Sequence, residues 1–296
     1  MKKFGIIEIG SSNTKTHIYD DGKVIYEDNT TIEFKKNYKN NNKIMLEDLE
    51  ILYKIIEKAL EYTLNINIYG CSIFRNITKD EFNKINDIIY SKFNLKIELV
   101  SQEDEAYYTA LGCYGNIDYR DNMCIFIGGG GSVELIFVKN KEIIDKKYYN
   151  FGVVDIANQY ESLKSDIPDV TFDEVYNYVD NLMGNIDIMA DVLVLAGGDH
   201  FYWYNNAKYK LFKNNLYESD EQSYMLPIDI SDKYDRDCFF KSLGEIKNNS
   251  DNPKWFDGAR AMKVVTNVVS HKINAKYIIP TKINMENGLK NKIMSE

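Results

Sequence analysis

Met123-Cys124-Ile125-Phe126-Ile127-Gly128-Gly129-Gly130-Gly131-Ser132-Val133-Glu134-Leu135-Ile136-Phe137-Val138 reads as two β-strands joined by a glycine turn. One apolar run, Met123 to Ile127, enters the four glycines, and a second, Leu135 to Val138, leaves. Glycine has no Cβ, so backbone N–H groups in such a turn can come close to a ligand. Successive N–H groups make a concavity that suits an anion. Ser132 adds a hydroxyl donor for a phosphate oxygen. Glu134 adds a carboxylate able to hold a metal or a water. The stretch points to phosphate gripped in a hairpin.

A related stretch opens the chain: Glu8-Ile9-Gly10-Ser11-Ser12-Asn13-Thr14-Lys15, between β-type runs at 4–9 and 14–19. Turns of Gly, Ser and Asn are common in ordinary hairpins, so its weight comes from repetition. A third strand, 23–26, follows the turn Asp20-Asp21-Gly22. Helical spacing then covers 45–64, a strand 66–70, a helix 79–93 and a strand 95–100. A helix over 102–111 starts at Ser101, an N-cap with acidic residues in the first turn. The second half repeats the order: strands at 123–127, 135–138 and 142–149, helices at 153–163 and 172–183, and a strand 191–196 ending in Gly197-Gly198. There Asp199 is the expected N-cap of a following helix, with His200 at its start. A helix 255–269, a strand 276–279 and a helix 285–294 close the chain. Residues 205–254 are polar, acidic and without a clear period. Two βββ-αβ units predict a duplicated α/β fold with a cleft between halves. Domain I is expected over 1–119, with 276–296 packing back on it, and domain II over 120–275.

The 296 residues, 44% hydrophobic and 27% charged, suffice for two domains. A net charge of −9 argues against a general nucleic-acid surface, which needs a basic face. Cys71, Cys113, Cys124 and Cys238 show no CxxC spacing, and buried thiols are expected. No apolar run approaches the roughly 18 residues of a membrane helix, so a cytoplasmic protein without membrane contact is expected. The 23 tyrosines read as a biased coding background. His17, His200 and His271 show no ligand spacing.

Five segments, in order, resemble the exopolyphosphatase / guanosine pentaphosphate phosphohydrolase family of the actin-like ATPase superfamily. Glu8–Thr14 resembles its first phosphate loop, Asp-Leu-Gly-Ser-Asn-Ser. Residues 70–76, Gly-Cys-Ser-Ile-Phe-Arg-Asn, resemble its Ala-Thr-x-x-x-Arg-x-Ala segment. Ser101-Gln102-Glu103-Asp104-Glu105-Ala106 with Leu111-Gly112 resembles its Ser-Gly-x-Glu-Glu-Ala…Gly helix start. Gly129–Glu134 resembles Gly-Gly-Gly-Ser-Thr-Glu. Gly197-Gly198 and Met285-Glu286-Asn287-Gly288-Leu289 resemble its later glycine turn and closing Arg-Glu-Gly. The resemblance covers nearly the whole chain, without the C-terminal helical domain of larger members. It implies two ribonuclease-H-like (actin-like ATPase) domains with an interdomain cleft. It also implies release of terminal phosphate from inorganic polyphosphate or guanosine pentaphosphate with Mg²⁺ or Mn²⁺.

By position, Glu105 matches the family's catalytic carboxylate and would orient the attacking water, with Glu134 as a second catalytic acid. Phosphate would contact Gly10, Ser11, Ser12, Asn13, Arg75, Gly129, Gly130, Gly131 and Ser132. Glu8 and Glu134 are the expected metal ligands. Each has an ordinary reading: Glu105 as a helix-dipole carboxylate, Arg75 as a surface ion pair, Glu134 as an exposed strand residue, Lys15 as an outward strand lysine. Two family positions are altered. Glu8 stands for an aspartate, and the aspartate before the second glycine turn is Phe126 or Ile127, neither able to ligate a cation; Asp199 would either replace the missing acid or repel a phosphate. Three functions therefore stand side by side: a phosphohydrolase, a phosphate- or nucleotide-binding module of the same fold, and an actin-like small-molecule kinase. The expected partner is an anionic phosphate substrate. A homodimer is a symmetry expectation only.

Overall fold

The computed structural model describes residues 2–10, 13–32, 34–41, 43–71, 73–116, 122–213, 224–247 and 257–296. The chain divides into unit 1, Met1–Tyr107 with Leu289–Glu296, and unit 2, Tyr108–Gly288.

Unit 1 begins as a meander of β1 (Lys3–Ile9), β2 (Asn13–Asp20) and β3 (Lys23–Thr31). Helices α1 (Phe34–Asn41) and α2 (Leu46–Leu60), strand β4 (Ile66–Gly70), helices α3 (Ile73–Asn76) and α4 (Lys79–Phe93), and strand β5 (Ile97–Leu99) follow. The sheet order is β3-β2-β1-β4-β5, with β1, β4 and β5 parallel. β1 is central and buried at Phe4, Ile6, Ile7 and Ile9, which explains its nearly unbroken apolar run. β3 is the edge and alternates between exposed and half-buried positions, so it continues to Thr31 through Glu27-Asp28-Asn29, polar residues that suit an open edge. Leu52, Ile56 and Ala59 of α2 and Ile85 and Ile89 of α4 close over this sheet. Each large apolar side chain so buried contributes about 1.5–3 kcal/mol.

Helix α5 (Gln102–Asn116) crosses from one unit to the other in sequence, the division falling between Tyr107 and Tyr108. Unit 2 then repeats the plan with β6 (Met123–Gly128), β7 (Val133–Lys139), β8 (Glu142–Tyr149), α6 (Val153–Gln159), α7 (Phe172–Met183) and β9 (Val192–Leu195). It continues with α8 (Asp199–Asn206), β10 (Phe212–Lys213), β11 (Tyr224–Pro227), α9 (Ile228–Phe240), α10 (Leu243–Lys247), α11 (Ala259–Lys272) and β12 (Tyr277–Pro280), and α12 (Met285–Ser295) starts in unit 2 and passes to unit 1 at Leu289. The sheet order of unit 2 is β10-β11-β12-β9-β6-β7-β8. The run β8-β7-β6-β9-β12 matches β3-β2-β1-β4-β5 in order and direction, and β11 and β10 extend it antiparallel.

The two meanders agree residue by residue at one constant offset in numbering. The β2–β3 turn holds Asp21 and Gly22 at φ 49° and 76°, and the β7–β8 turn holds Asn140 and Lys141 at φ 53° and 65°. Two successive residues at positive φ give the turn whose twist suits a hairpin. A register shift falls between Ile18 and Tyr19 in the first meander and between Phe137 and Val138 in the second. These are equivalent positions, so no insertion separates the repeats.

Several elements depart from the sequence reading. Residues 205–254, left unassigned there, contain β10, β11, α9 and α10. The helix expected from 255 starts at Ala259 and runs on to Lys272, and Trp255 lies outside the described residues. The helix expected over 153–163 is α6 to Gln159 followed by a short 3₁₀ turn, Glu161–Lys164. The N-cap of α8 is Gly198, in the left-handed region at φ 94°, and Asp199 is the first helical residue. Only glycine takes that φ without strain.

The last residues return to unit 1. Lys290 Nζ stands 5.3 Å from the Tyr19 ring centroid, and Lys2 Nζ donates to Ile293 O. Helix α12 also meets α5. A Cβ on Gly288 would lie 1.7 Å from Tyr108 O, and one on Gly112 would lie 3.0 Å from Gly288 N. Gly112 and Gly288, singled out above as motif glycines, thus allow two helix backbones to touch.

Candidate active site

Five of the expected residues lie in unit 1: Glu8, Gly10, Asn13, Arg75 and Glu105. Glu8 is the penultimate residue of β1, and its Cα pairs with Lys15 of β2 and Tyr69 of β4. The residue is half-buried, but its Oε2 is wholly buried and has no hydrogen-bond partner. Burial raises the Glu8 carboxyl above its ordinary value, Lys15 opposes that rise, and the charge of Glu105 adds to it. Arg75, on the short helix α3 after β4, donates from Nη1 to Glu105 Oε2 at 2.7 Å and to Val100 O at 3.0 Å. Glu105 lies in the first turn of α5. Ser101 caps this helix, its Oγ accepting from Asp104 N at 3.0 Å. Cys71 completes the neighbourhood, a buried thiol pushed up first by desolvation and then by Glu8 and Glu105. The β1–β2 hairpin closes with Gly10 N donating to Asn13 O at 2.9 Å. Ser11 and Ser12 lie outside the described residues.

Unit 2 carries the second hairpin. Gly129 N donates to Ser132 O at 2.9 Å, the counterpart of the Gly10–Asn13 closure. None of Gly128 to Gly131 has a positive φ, so conformation does not require them. Packing requires one: a Cβ on Gly128 would strike the Phe126 ring at 2.5 Å and Met262 Sδ at 2.9 Å. A Cβ on Gly131 would meet nothing within 4 Å. Gly130 and Gly131 are exposed. Glycine at 131 therefore leaves open space that the protein itself does not use. Glu134 is buried at 4% exposure, its Cα paired with Ile127, just as Lys15 pairs with Glu8. The counterpart of Glu8 is thus Ile127, not Phe126.

The sequence reading missed a buried polar group in unit 2. Lys263 of α11 is 1% exposed. Its Nζ lies 3.1 Å from His200 Nδ1, 3.5 Å from Asp235 and 3.7 Å from the Tyr204 ring centroid. Burial pushes Asp235 up to about 6, against the pull of Lys263, and holds His200 well below its ordinary value. Beside it is a cavity of about 320 Å³, lined by Val153, Val154, Ala157, Trp203, Met262 and Lys263 among others. A lysine in sequence reads as solvated, and only its place among Val264, Val265 and Val268 hinted otherwise. Asp199 and Lys164 also line this cavity. His17 sits in β2 beside Glu27 at 4.0 Å, and His271 pairs with Asp232 at 3.0 Å, which raises its pKa. All four cysteines are free and buried.

Among the described residues no group of three or more His, Cys, Asp or Glu could hold a metal ion. Mg²⁺ bound through substrate phosphates needs only one or two carboxylates, with waters completing its shell. Glu8 fits that role, since one buried oxygen lacks any partner.

The paired sheets and repeated meanders define a mixed α/β fold of the actin-like class. The chain belongs to the Ppx/GppA phosphatase family, whose model matches residues 17–189. Such enzymes are hydrolases that are generally dependent on a divalent metal. A bifunctional 3-dehydroquinate synthase/phosphatase of Fusobacterium nucleatum is 29% identical over 52% of this chain and 26% of its own length. The chain thus spans about a quarter of that relative. The Aquifex aeolicus Ppx/GppA phosphatase has a TM-score of 0.81 at 15% identity, covering 100% of this chain and 99% of that one. An exopolyphosphatase from Cytophaga hutchinsonii has a TM-score of 0.77 at 15% identity, with 99% and 98% covered. Among the described residues no helix is long and apolar enough to cross a membrane.

Proposed function

We propose that this chain hydrolyses a terminal phosphoanhydride, of inorganic polyphosphate or guanosine pentaphosphate, with a divalent cation held through Glu8. The observation that carries this reading is the Arg75–Glu105 pair beside the buried, partnerless Glu8 oxygen. Phosphoryl transfer asks the protein mainly for positioning and charge stabilisation. Arg75 fixes the direction of the Glu105 carboxylate, and its remaining N–H groups are suited to phosphate oxygens. Glu105 aligns a water and takes its proton as phosphorus is attacked. Gly10, Asn13, Ser132 and the glycine amides of the second hairpin bind phosphate oxygens, and Glu134 orients water or a cation. A bound Mg²⁺ or Mn²⁺ would neutralise phosphate charge and acidify water.

The test is phosphate release from each substrate with Mg²⁺ or Mn²⁺, and its loss in Glu105→Ala. Ile127 favours a second reading: unit 2 lacks the acid that unit 1 carries at the equivalent position, which suits a module that binds phosphate without turnover. Binding of both anions with no phosphate released in any metal would decide for that module. Phosphorylation of a sugar or acid by ATP would decide for a kinase.

A further inference from the structure

Helix α6 begins against the second hairpin. Val153 N donates to Gly129 O at 3.1 Å and Val154 N to Gly130 O at 2.9 Å. Asp155 N and Ile156 N both donate to Gly152 O, at 3.1 and 3.2 Å, so the first four amides of this helix are all satisfied. Gly152 N in turn donates to Asp155 Oδ2 at 2.9 Å. The approach is close enough that a Cβ on Gly152 would lie 2.4 Å from Gly129 O and 2.5 Å from Gly130 C and Gly131 N. Gly152 has an extended backbone, φ −142°, so contact rather than conformation requires glycine here.

The consequence follows from peptide geometry. No peptide bond in the described chain is cis. In a planar trans peptide the N–H points opposite to the C=O. With the Gly129 carbonyl held by α6, the Gly130 N–H points away from α6. With the Gly130 carbonyl held, the Gly131 N–H does the same. Two successive donors are therefore aimed to one side, at the exposed residues where Gly131 leaves open space.

We propose that Gly152 is a positioning residue, which lets the first amides of α6 grip the hairpin carbonyls and so aim the Gly130 and Gly131 amides at a phosphate oxygen; this rests on reading the hairpin as a phosphate site. Asp155 is its support, holding Gly152 through the backbone N–H. In Gly152→Ala the methyl meets only backbone atoms, so the hairpin must move off α6. A shift on the order of 1 Å costs about a hundredfold in rate.

The test uses the full chain labelled with ¹⁵N-glycine and titrated with inorganic tripolyphosphate. The expected result is a shift of the Gly130 and Gly131 amide signals in the unsubstituted protein. In Gly152→Ala the affinity should fall at least about tenfold while the other glycine signals keep their dispersion. Equal shifts and equal affinity in Gly152→Ala would overturn the positioning role and leave the phosphate reading standing. No shift of these two amides in the unsubstituted protein would remove the phosphate reading and the proposal with it. If Gly152→Ala does not fold, Asp155 decides. Loss of affinity in Asp155→Ala with recovery in Asp155→Asn, which keeps an oxygen for the Gly152 N–H, supports the role. Full affinity in Asp155→Ala overturns it.

Discussion

The two hairpins are the same object with different charges. Both close through one hydrogen bond of 2.9 Å, Gly10 to Asn13 and Gly129 to Ser132. Each leads into a strand whose pairing with the next one shifts register at the same place. In the first, the paired residues are an acid and a base, Glu8 and Lys15. In the second, they are an apolar residue and an acid, Ile127 and Glu134. The first hairpin has Arg75 and Glu105 in its own unit, while the second has α6 gripping its carbonyls. The repeat thus carries its charged side chains beside one hairpin and the carbonyl-gripping helix beside the other.

The largest expected effect separates chemistry from binding. Glu105→Ala should lower phosphate release by about a thousandfold, with tripolyphosphate affinity changed by less than about tenfold; steady-state rates and calorimetry measure the two. An equal fall in both would make Glu105 a binding residue and erase the contrast.

Next is Glu8. Glu8→Gln should cost about a hundredfold in rate. Its effect on stability runs the other way. Burial raises the folded carboxyl above 4.5, so the unfolded chain ionises first as pH rises. Stability tied to this group is complete below the unfolded value and lost as pH climbs through the folded one. Removing the charge should raise the melting temperature at pH 7 by roughly 2–4 °C. At pH 4 the two proteins should melt together. A lower melting temperature at pH 7 would show that the Glu8 carboxylate is stabilised by its surroundings.

The glycines of the second hairpin divide more finely. Gly128→Ala should cost roughly 1–3 kcal/mol in a urea melt, since Phe126 and Met262 are in the way. Gly131→Ala should leave stability within about 0.5 kcal/mol and weaken tripolyphosphate binding about tenfold, by putting a methyl where an anion would approach. Should Gly131→Ala bind as well as the parent, the open space at 131 is not a phosphate subsite.

Ile127→Asp has the smallest expected effect. It puts an acid where the first hairpin has one, but directly opposite Glu134. Like charges across a strand pair repel, so a divalent cation should be needed to hold them together. The Mn²⁺ concentration for half-maximal activity should fall about two- to fivefold, a gain limited by the imperfect geometry of a grafted ligand. An unchanged metal requirement would mean that Ile127 does not occupy the metal-facing position.

Much of this was legible because local signals and global packing agree. Helices α4 and α7 were read with their observed bounds. Thr78 caps the first through Glu81 N, Thr171 and Glu174 form a capping box on the second, and α7 buries Phe172, Val175, Val179 and Met183 on one face. The pairing of Arg75 with Glu105 could be named as two residues but not as one ion pair, because 30 positions separate them and only the turn of α3 after β4 joins them. Helix α9 was hidden for a different reason. Its buried face includes Ser231 and Asp235, which answer Tyr204 and Lys263 on other elements. A helix that buries polar groups against distant partners leaves no apolar stripe to read. Helix α11 was found but not its depth, since every residue from Arg260 to Ser270 is buried, and Arg260 spends its guanidinium on the carbonyls of Leu163, Ser165, Asp166 and Lys241.

The contacts of Lys290 with Tyr19 and of Lys2 with Ile293 bear on how the chain is made. The ribosome delivers the strands of unit 1 first, yet Leu289–Glu296 belong to that unit too. Synthesis at about 5–20 residues per second puts all of unit 2 between them, a wait on the order of ten to forty seconds. In that interval Tyr19 lacks the lysine that later lies beside it, while unit 2 can complete its own sheet. The unit whose strands come before unit 2 is therefore the one whose last contacts form after it.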